Sequence, residues 1–227
     1  GVFEACKAAP EVKPDLIVGH SGFGSTLFLR ELYDCPLINY FEYFYHPHNS
    51  DLDFRPEFPP LPQDVLRCYA RNATILLDLD NCDTGYCPTN WQRSLFPDNF
   101  SSKLEVIFDL IDTQLWAPRE NQSRVVHGQS IDEDTKIVTY VSRGMEAMRG
   151  FDIFMQVAKR IYSEEPNTVF VVVGAERTAY GGDEKHIQAS SFLQHVLAQD
   201  EYDLSKFIFT GRLAPPTLAE ILSLSDV

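Results

Sequence analysis

Arg143 and Arg149 stand six residues apart, each followed by glycine, between the apolar run KIVTYVS and the helical run FDIFMQVAKRIY. That spacing is too wide for neighbours on one helix face, where partners lie three or four apart. It suits a strand-to-helix corner, with Arg143 at the strand end and Arg149 where the helix begins. An anion at such a corner meets free N–H groups and the positive end of the helix dipole. Gly144 and Gly150 let backbone come close, and the forked guanidiniums match phosphate oxygens, each contact worth about 1.5–3 kcal/mol. The plain alternative is two solvated surface arginines.

A second corner is GHSGFGST, residues 19–26. His20 ends a strand there, where an imidazole can orient a hydroxyl or exchange a proton near neutral pH. A purely structural histidine reads equally naturally. Ser21, Gly22 and Gly24 come next, but the glycine spacing from Gly19 is not the G-x-G-x-x-G of a dinucleotide-binding turn. A third corner, FIFTGRLAPPTLAE, places Gly211, Arg212 and Leu213 after a strand and Pro215-Pro216 at a helix start. Taken alone it is only a sound turn.

Metal chemistry finds little support. Asp-Leu-Asp occurs at 51–53 and 78–80, as chance allows in a chain with 33 acidic residues. His46 and His48 form an H-x-H, but the intervening Pro47 and the adjoining aromatics suggest a rigid loop. Tyr43, Phe44, Tyr45 and His46 could stack on a sugar, or simply pack that loop onto the core. The five cysteines have no CxxC spacing and read as free thiols in a reducing cytoplasm.

These corners need elements to hold them, and the pattern supplies alternating strands and helices. Strands are expected at PDLIVGH, CPLINYF, TGYCP and KLEVIFD, with helices at GSTLFLRELY, LPQDVLRCYARNATILLDLD and TNWQRSLFP. Between Asp112 and Thr135 the periodicity lapses, as in an interdomain crossing. Alternation resumes with KIVTYVS, TVFVVVG and KFIFTG as strands. Their helices are FDIFMQVAKRIYSEE, SSFLQHVLAQ and PPTLAEILSLSDV. IVTYV and VFVVV are continuously apolar, as strands covered on both faces require. The fold class is therefore α/β, two Rossmann-like doubly wound modules, 1–120 and 121–227, each incomplete.

The net charge of −14 argues against nucleic-acid binding and adhesion to anionic lipid. No apolar run reaches the roughly 18 residues of a membrane span.

In order and spacing, these pieces resemble the retaining glycosyltransferases of the GT-B fold, family four (group 1). The likeness runs from PDLIVGHSG to FTGRLAPPTLAEILSLSDV and rests on three elements. One is SR, a six-residue step, then RG before a helix. Another is VVVGAE with the later IFTGRL…LAEILSLSDV. The third is CPTNWQRSLFP…KLEVIFDLIDTQLW. The resemblance implies an acceptor-side first module and a nucleotide-sugar donor module after it. A sugar would pass from a nucleotide-diphosphate donor to an acceptor hydroxyl with retention, needing no metal or cofactor. The acceptor would be a glycan or lipid-linked group, as in polysaccharide biosynthesis.

By the same resemblance, Arg143, Gly144, Arg149 and Gly150 would hold the diphosphate, with Arg149 where the family more often has lysine. His20 would face acceptor and donor sugar, with Ser21, Gly22 and Gly24 on the cleft wall. Gly211, Arg212 and Leu213 would border the nucleobase. The family's Glu-x7-Glu and its first glycine-rich loop are not in these residues, so the chain reads as an internal fragment, itself inactive. Leu110 replaces a glycine usual at the hinge-side turn, which leucine would resist at positive φ. A nucleotide-sugar epimerase or a non-catalytic binding protein would use the same scaffold.

Overall fold

The computed structural model describes residues 1–23, 26–120 and 122–227. They form two compact units, Gly1–Asp53 with Pro60–Leu110, and Phe54–Pro59 with Ile111–Val227. The main division thus falls before residue 120, and a six-residue segment of the first half belongs to the second unit.

The first unit contains α1 (Val2–Lys7), β1 (Ile17–His20), β2 (Leu37–Tyr40), α2 (Pro62–Asn81), β3 (Thr84–Cys87), α3 (Asn90–Ser94) and β4 (Leu104–Val106). Its strands pair in parallel in the order β1-β2-β3-β4. Pro62 occupies the first turn of α2, where its missing N–H costs nothing. Cys68, Asn72, Ile75 and Leu79 recur at helical spacing on the buried face of α2. Ile75 and Leu79 join Leu37, Phe41, Phe96 and Leu104 in one core, which also absorbs Cys82 and Cys87. Burial pushes the Cys87 thiol up to about 11, as befits a packing residue rather than a ligand.

The helix expected at GSTLFLRELY does not form. Gly24 and Ser25 lie outside the described residues, and the segment after them makes a single 3-10 turn, Leu29–Glu31. Phe28 sits at φ 70, which interrupts a right-handed helix, and the Thr26 hydroxyl donates to Asn39 Oδ1 (3.0 Å). Leu110 is fully exposed and is not among the positive-φ residues, so leucine is accommodated there without strain.

The second unit contains β5 (Val125–Val126), β6 (Gln129–Ser130), β7 (Lys136–Gly144), α4 (Phe151–Glu164), β8 (Thr168–Ala175), α5 (Phe192–Leu197), β9 (Phe207–Gly211) and α6 (Pro215–Leu224). β5 and β6 form a hairpin within the stretch where the periodicity lapses. Its turn, His127-Gly128, has positive φ at both residues, as a two-residue hairpin demands. β7, β8 and β9 pair in parallel. Along β8, Phe170 and Val172 join one core with α4 and α5, while Val171 and Val173 join another with Ile221 of α6. Two cores on opposite faces of one strand are the doubly wound arrangement its apolar run implies.

α6 stops at Leu224 rather than continuing to Val227. Ser225 turns its hydroxyl back to Ile221 O (2.9 Å), and the last two residues run along β7. Asp226 N–H donates to Ile137 O and Thr139 N–H to Val227 O, each at 2.8 Å.

Candidate functional site

The arginine corner is built by β7, a 3-10 turn at Ala147–Arg149 and the start of α4. Arg143 is the penultimate residue of β7, exposed, and without an ion-pair partner among the described residues. Arg149 ends the turn; its side chain is half-exposed and lies 3.5 Å from Glu146 Oε1. Gly150, at φ 67, leads into α4, and no side chain caps the first-turn N–H groups. Two arginines, helix N–H groups without a side-chain cap and a positive dipole end thus belong to one strand-to-helix corner.

The two glycines serve different ends. Gly150 supplies the left-handed backbone that swings the turn into the helix. Gly144 is needed for space, because a Cβ there would collide with Arg177 O and fall 2.9 Å from Ala179 N. The loop after β8 therefore packs directly on the strand end.

Glu146, which sequence reasoning missed, is fully buried and ties that loop down. Its Oε2 accepts N–H groups from Ala179 and from Tyr180 (2.8 Å). Its Oε1 is buried without a hydrogen bond and faces Arg149. Asp183, also buried, accepts the Ala147 N–H (3.0 Å). From the segment assigned to this unit, Arg55 donates to Ala147 O (2.6 Å) and to both oxygens of Asp152, at 3.1 and 2.6 Å. A glutamate flanked by glycines and arginines was a visible signal. Nothing in local sequence pointed to Arg55.

The histidine corner lies at the carboxyl ends of β1, β2 and β3. His20 Nε2 is 3.7 Å from Glu42, and Nδ1 is 3.0 Å from the Ser21 carbonyl oxygen. Its ring meets Phe23 and Tyr40 edge-on, with centroids at 4.9 and 4.7 Å. Ser21 is not a free cleft hydroxyl: it is buried and donates to Asp78 Oδ2 (2.8 Å). Gly22 is exposed at φ 87, and Gly24 lies outside the described residues. His20, Tyr40, Glu42, Tyr86 and Asp109 line an open cavity of about 610 Å³. The Tyr40 hydroxyl donates to Asp109 Oδ2 (2.9 Å), and burial with that carboxylate raises its pKa well above the ordinary tyrosine value.

Gly211 (φ 69), Arg212 and Leu213 sit where β9 ends, with Arg212 exposed and Leu213 packed against the α6 core. Of the two Asp-Leu-Asp runs, 78–80 ends α2 and 51–53 is a loop that holds Tyr43 and the Asn49–Ser50 backbone. His46 spends Nε2 on Leu95 O (2.9 Å). Among the described residues no three histidine, cysteine or acidic side chains gather as metal ligands. Among the same residues no helix is long and apolar enough to cross a membrane.

Comparison with solved structures gives sucrose-phosphate synthase from Thermosynechococcus elongatus at TM-score 0.67, with 16% identity over 99% of this chain and 52% of that one. TarM gives 0.55, with 11% identity over 96% of this chain and 37% of that one. A UDP-N-acetylglucosamine 2-epimerase gives 0.53, with 12% identity over 99% and 52%. At such identities the likeness is one of fold, and the chain spans about half the length of these structures or less. Among curated proteins none matches in sequence. A family model described as "Glycosyl transferase family 4 group" matches residues 1–116, more than half of the 227. The chain belongs to that glycosyltransferase family.

Proposed function

We propose that this chain is the nucleotide-sugar-handling part of a retaining glycosyltransferase, with the donor diphosphate held at the start of α4. The observation that carries the reading is a strand-to-helix corner with an exposed Arg143 at the end of β7, Arg149 in the turn after it, and a helix N-terminus without a side-chain cap. As the glycosidic bond breaks, negative charge grows on the leaving diphosphate, and fixed guanidiniums and N–H groups stabilise it where it develops. With that charge met by arginine, transfer proceeds without a divalent cation. Gly211, Arg212 and Leu213 border the base.

The acceptor side is the His20 cavity, where His20 orients the attacking hydroxyl. Two tyrosine faces suit a sugar ring, and Glu42 and Asp109 suit its hydroxyl hydrogens while repelling phosphate. An uncharged glycan acceptor, in cytoplasmic polysaccharide assembly, fits this chemistry best.

The test is calorimetric titration of the chain with UDP, GDP and ADP, with and without EDTA. Binding of one of them, unaffected by EDTA and lost in Arg143→Ala/Arg149→Ala, supports the reading. Equal affinity in that variant sinks it.

A further inference from the structure

We propose that Arg55, reaching α4 from far upstream in the chain, is a positioning residue that makes the arginine corner receptive to a nucleotide diphosphate. The inference rests on the donor reading proposed for that corner. Phe54–Pro59 lies in the second unit although its sequence neighbours on both sides lie in the first. Its anchor is Phe58, edge-on to Phe192 (5.6 Å between centroids) and to His186 (6.2 Å). The Arg55 guanidinium lies 5.6 Å from the Phe58 ring centroid and is only 11% exposed. From there it grips both carboxylate oxygens of Asp152, itself 19% exposed, and the Ala147 carbonyl.

An anion at the helix start would feel this in two ways. Asp152 occupies the first turn of α4, where a carboxylate suits the helix dipole but repels any second anion placed there. The corner carries four carboxylates, Glu57 (3.3 Å from Arg55), Glu146, Asp152 and Asp183, and three guanidiniums, Arg55, Arg143 and Arg149. Removing Arg55 would tip these charges further toward acid at a site built for phosphate. A paired, poorly hydrated charge couples strongly to its neighbours, so the imbalance would be felt by the ligand.

The second effect is geometric. Ala147 has its N–H held by Asp183 and its C=O held by Arg55. That residue opens the turn that carries Arg149 two residues later. Arg55 therefore fixes where the second phosphate-facing guanidinium starts, without touching the ligand.

The experiment is a charge cycle on the whole chain, read as affinity for the nucleoside diphosphate it prefers among UDP, GDP and ADP. Thermal unfolding serves as the control for folding. Arg55→Met should weaken binding about tenfold, and Asp152→Asn alone should tighten it about twofold to fivefold. The double variant R55M/D152N should recover to within about threefold of the parent, since charge balance returns even though packing does not. A merely structural arginine would leave the double variant as weak as R55M, or weaker, and that result overturns the proposal. So does an R55M chain that folds and binds normally. If R55M fails to fold, Asp152→Asn decides: unchanged or weaker binding rejects the inference. Loss of binding in Arg143→Ala/Arg149→Ala alongside an indifferent Arg55 rejects this inference and leaves the donor site standing. A parent chain that binds none of the three nucleotides removes both.

Discussion

The two strand-end corners begin alike and finish differently. After β7 the chain makes one 3-10 turn and enters a 14-residue helix, so the corner inherits a dipole end and N–H groups without a side-chain cap. After β1 it enters no α-helix among the described residues; Ser21 is spent on Asp78, Thr26 on Asn39, and His20 is hemmed by Phe23 and Tyr40. On the proposed reading, the first arrangement suits an anion. The second offers carboxylates and aromatic faces, which favour an uncharged polyhydroxylated group. If that reading holds, the element that succeeds the strand, more than the strand itself, sets the charge each corner suits.

The largest effect should come from Arg143→Ala/Arg149→Ala. Nucleoside diphosphate affinity should fall about a hundredfold or more, while thermal stability falls moderately, since the Arg149 change leaves the buried Glu146 Oε1 without its facing cation. His20→Ala should leave that affinity alone. If it does not, the division of labour between the corners is wrong.

Next in size is Asp78→Ala. It strips the buried Ser21 hydroxyl of its acceptor and should cost about 2–3 kcal/mol in denaturant unfolding. A cost under about 0.5 kcal/mol would mean the histidine corner is held by something other than this network.

The glycines sharpen the contrast further. Gly144→Ala must push back the 177–179 backbone and should cost about 2 kcal/mol. Gly150→Ala meets open space and only left-handed strain, about 1 kcal/mol. Reversal of that order would show that the loop over Gly144 yields easily.

The smallest effect concerns acid. Asp83 is held below the usual carboxylate range by the Leu37 N–H and then Arg30, and Asp226 by the Ile137 N–H with help from Lys136. Each has a lower pKa folded than unfolded. Their stabilisation is therefore complete above about pH 4 and lost as pH falls through the folded values. Both are partly exposed, so each contributes a fraction of a kcal/mol. Asp83→Asn and Asp226→Asn should flatten the acid limb of a stability–pH curve. An acid limb of unchanged slope in both variants would discard this account.

Much of this was legible in the residues. The 20-residue α2 announces itself by period and by Pro62, and VFVVV announces a strand covered on both faces. Arg143 and Arg149 fall at the corner that their flanking runs predict. The missed features depend on distant partners. Helix propensity around Leu27–Tyr33 is ordinary, but Thr26 finds Asn39, and Phe28 takes a left-handed backbone. The β5–β6 hairpin did carry a local signal, His127-Gly128 between valines and a polar pair, and was lost among polar neighbours. The alliance of Arg55 with Asp152, 97 residues away, has no local signature at all.

The detour of Phe54–Pro59 bears on how the chain survives cutting. A protease that nicks between Leu110 and Ile111 breaks the peptide backbone at the main division. The upstream fragment would still carry Phe58 seated on Phe192 and Arg55 clasped to Asp152. Such a nicked molecule should co-purify as two pieces, separating only when the downstream fragment unfolds. During synthesis the same threading means that residues 54–59 emerge from the ribosome long before their partners exist, and must wait for α4 and α5 to be made.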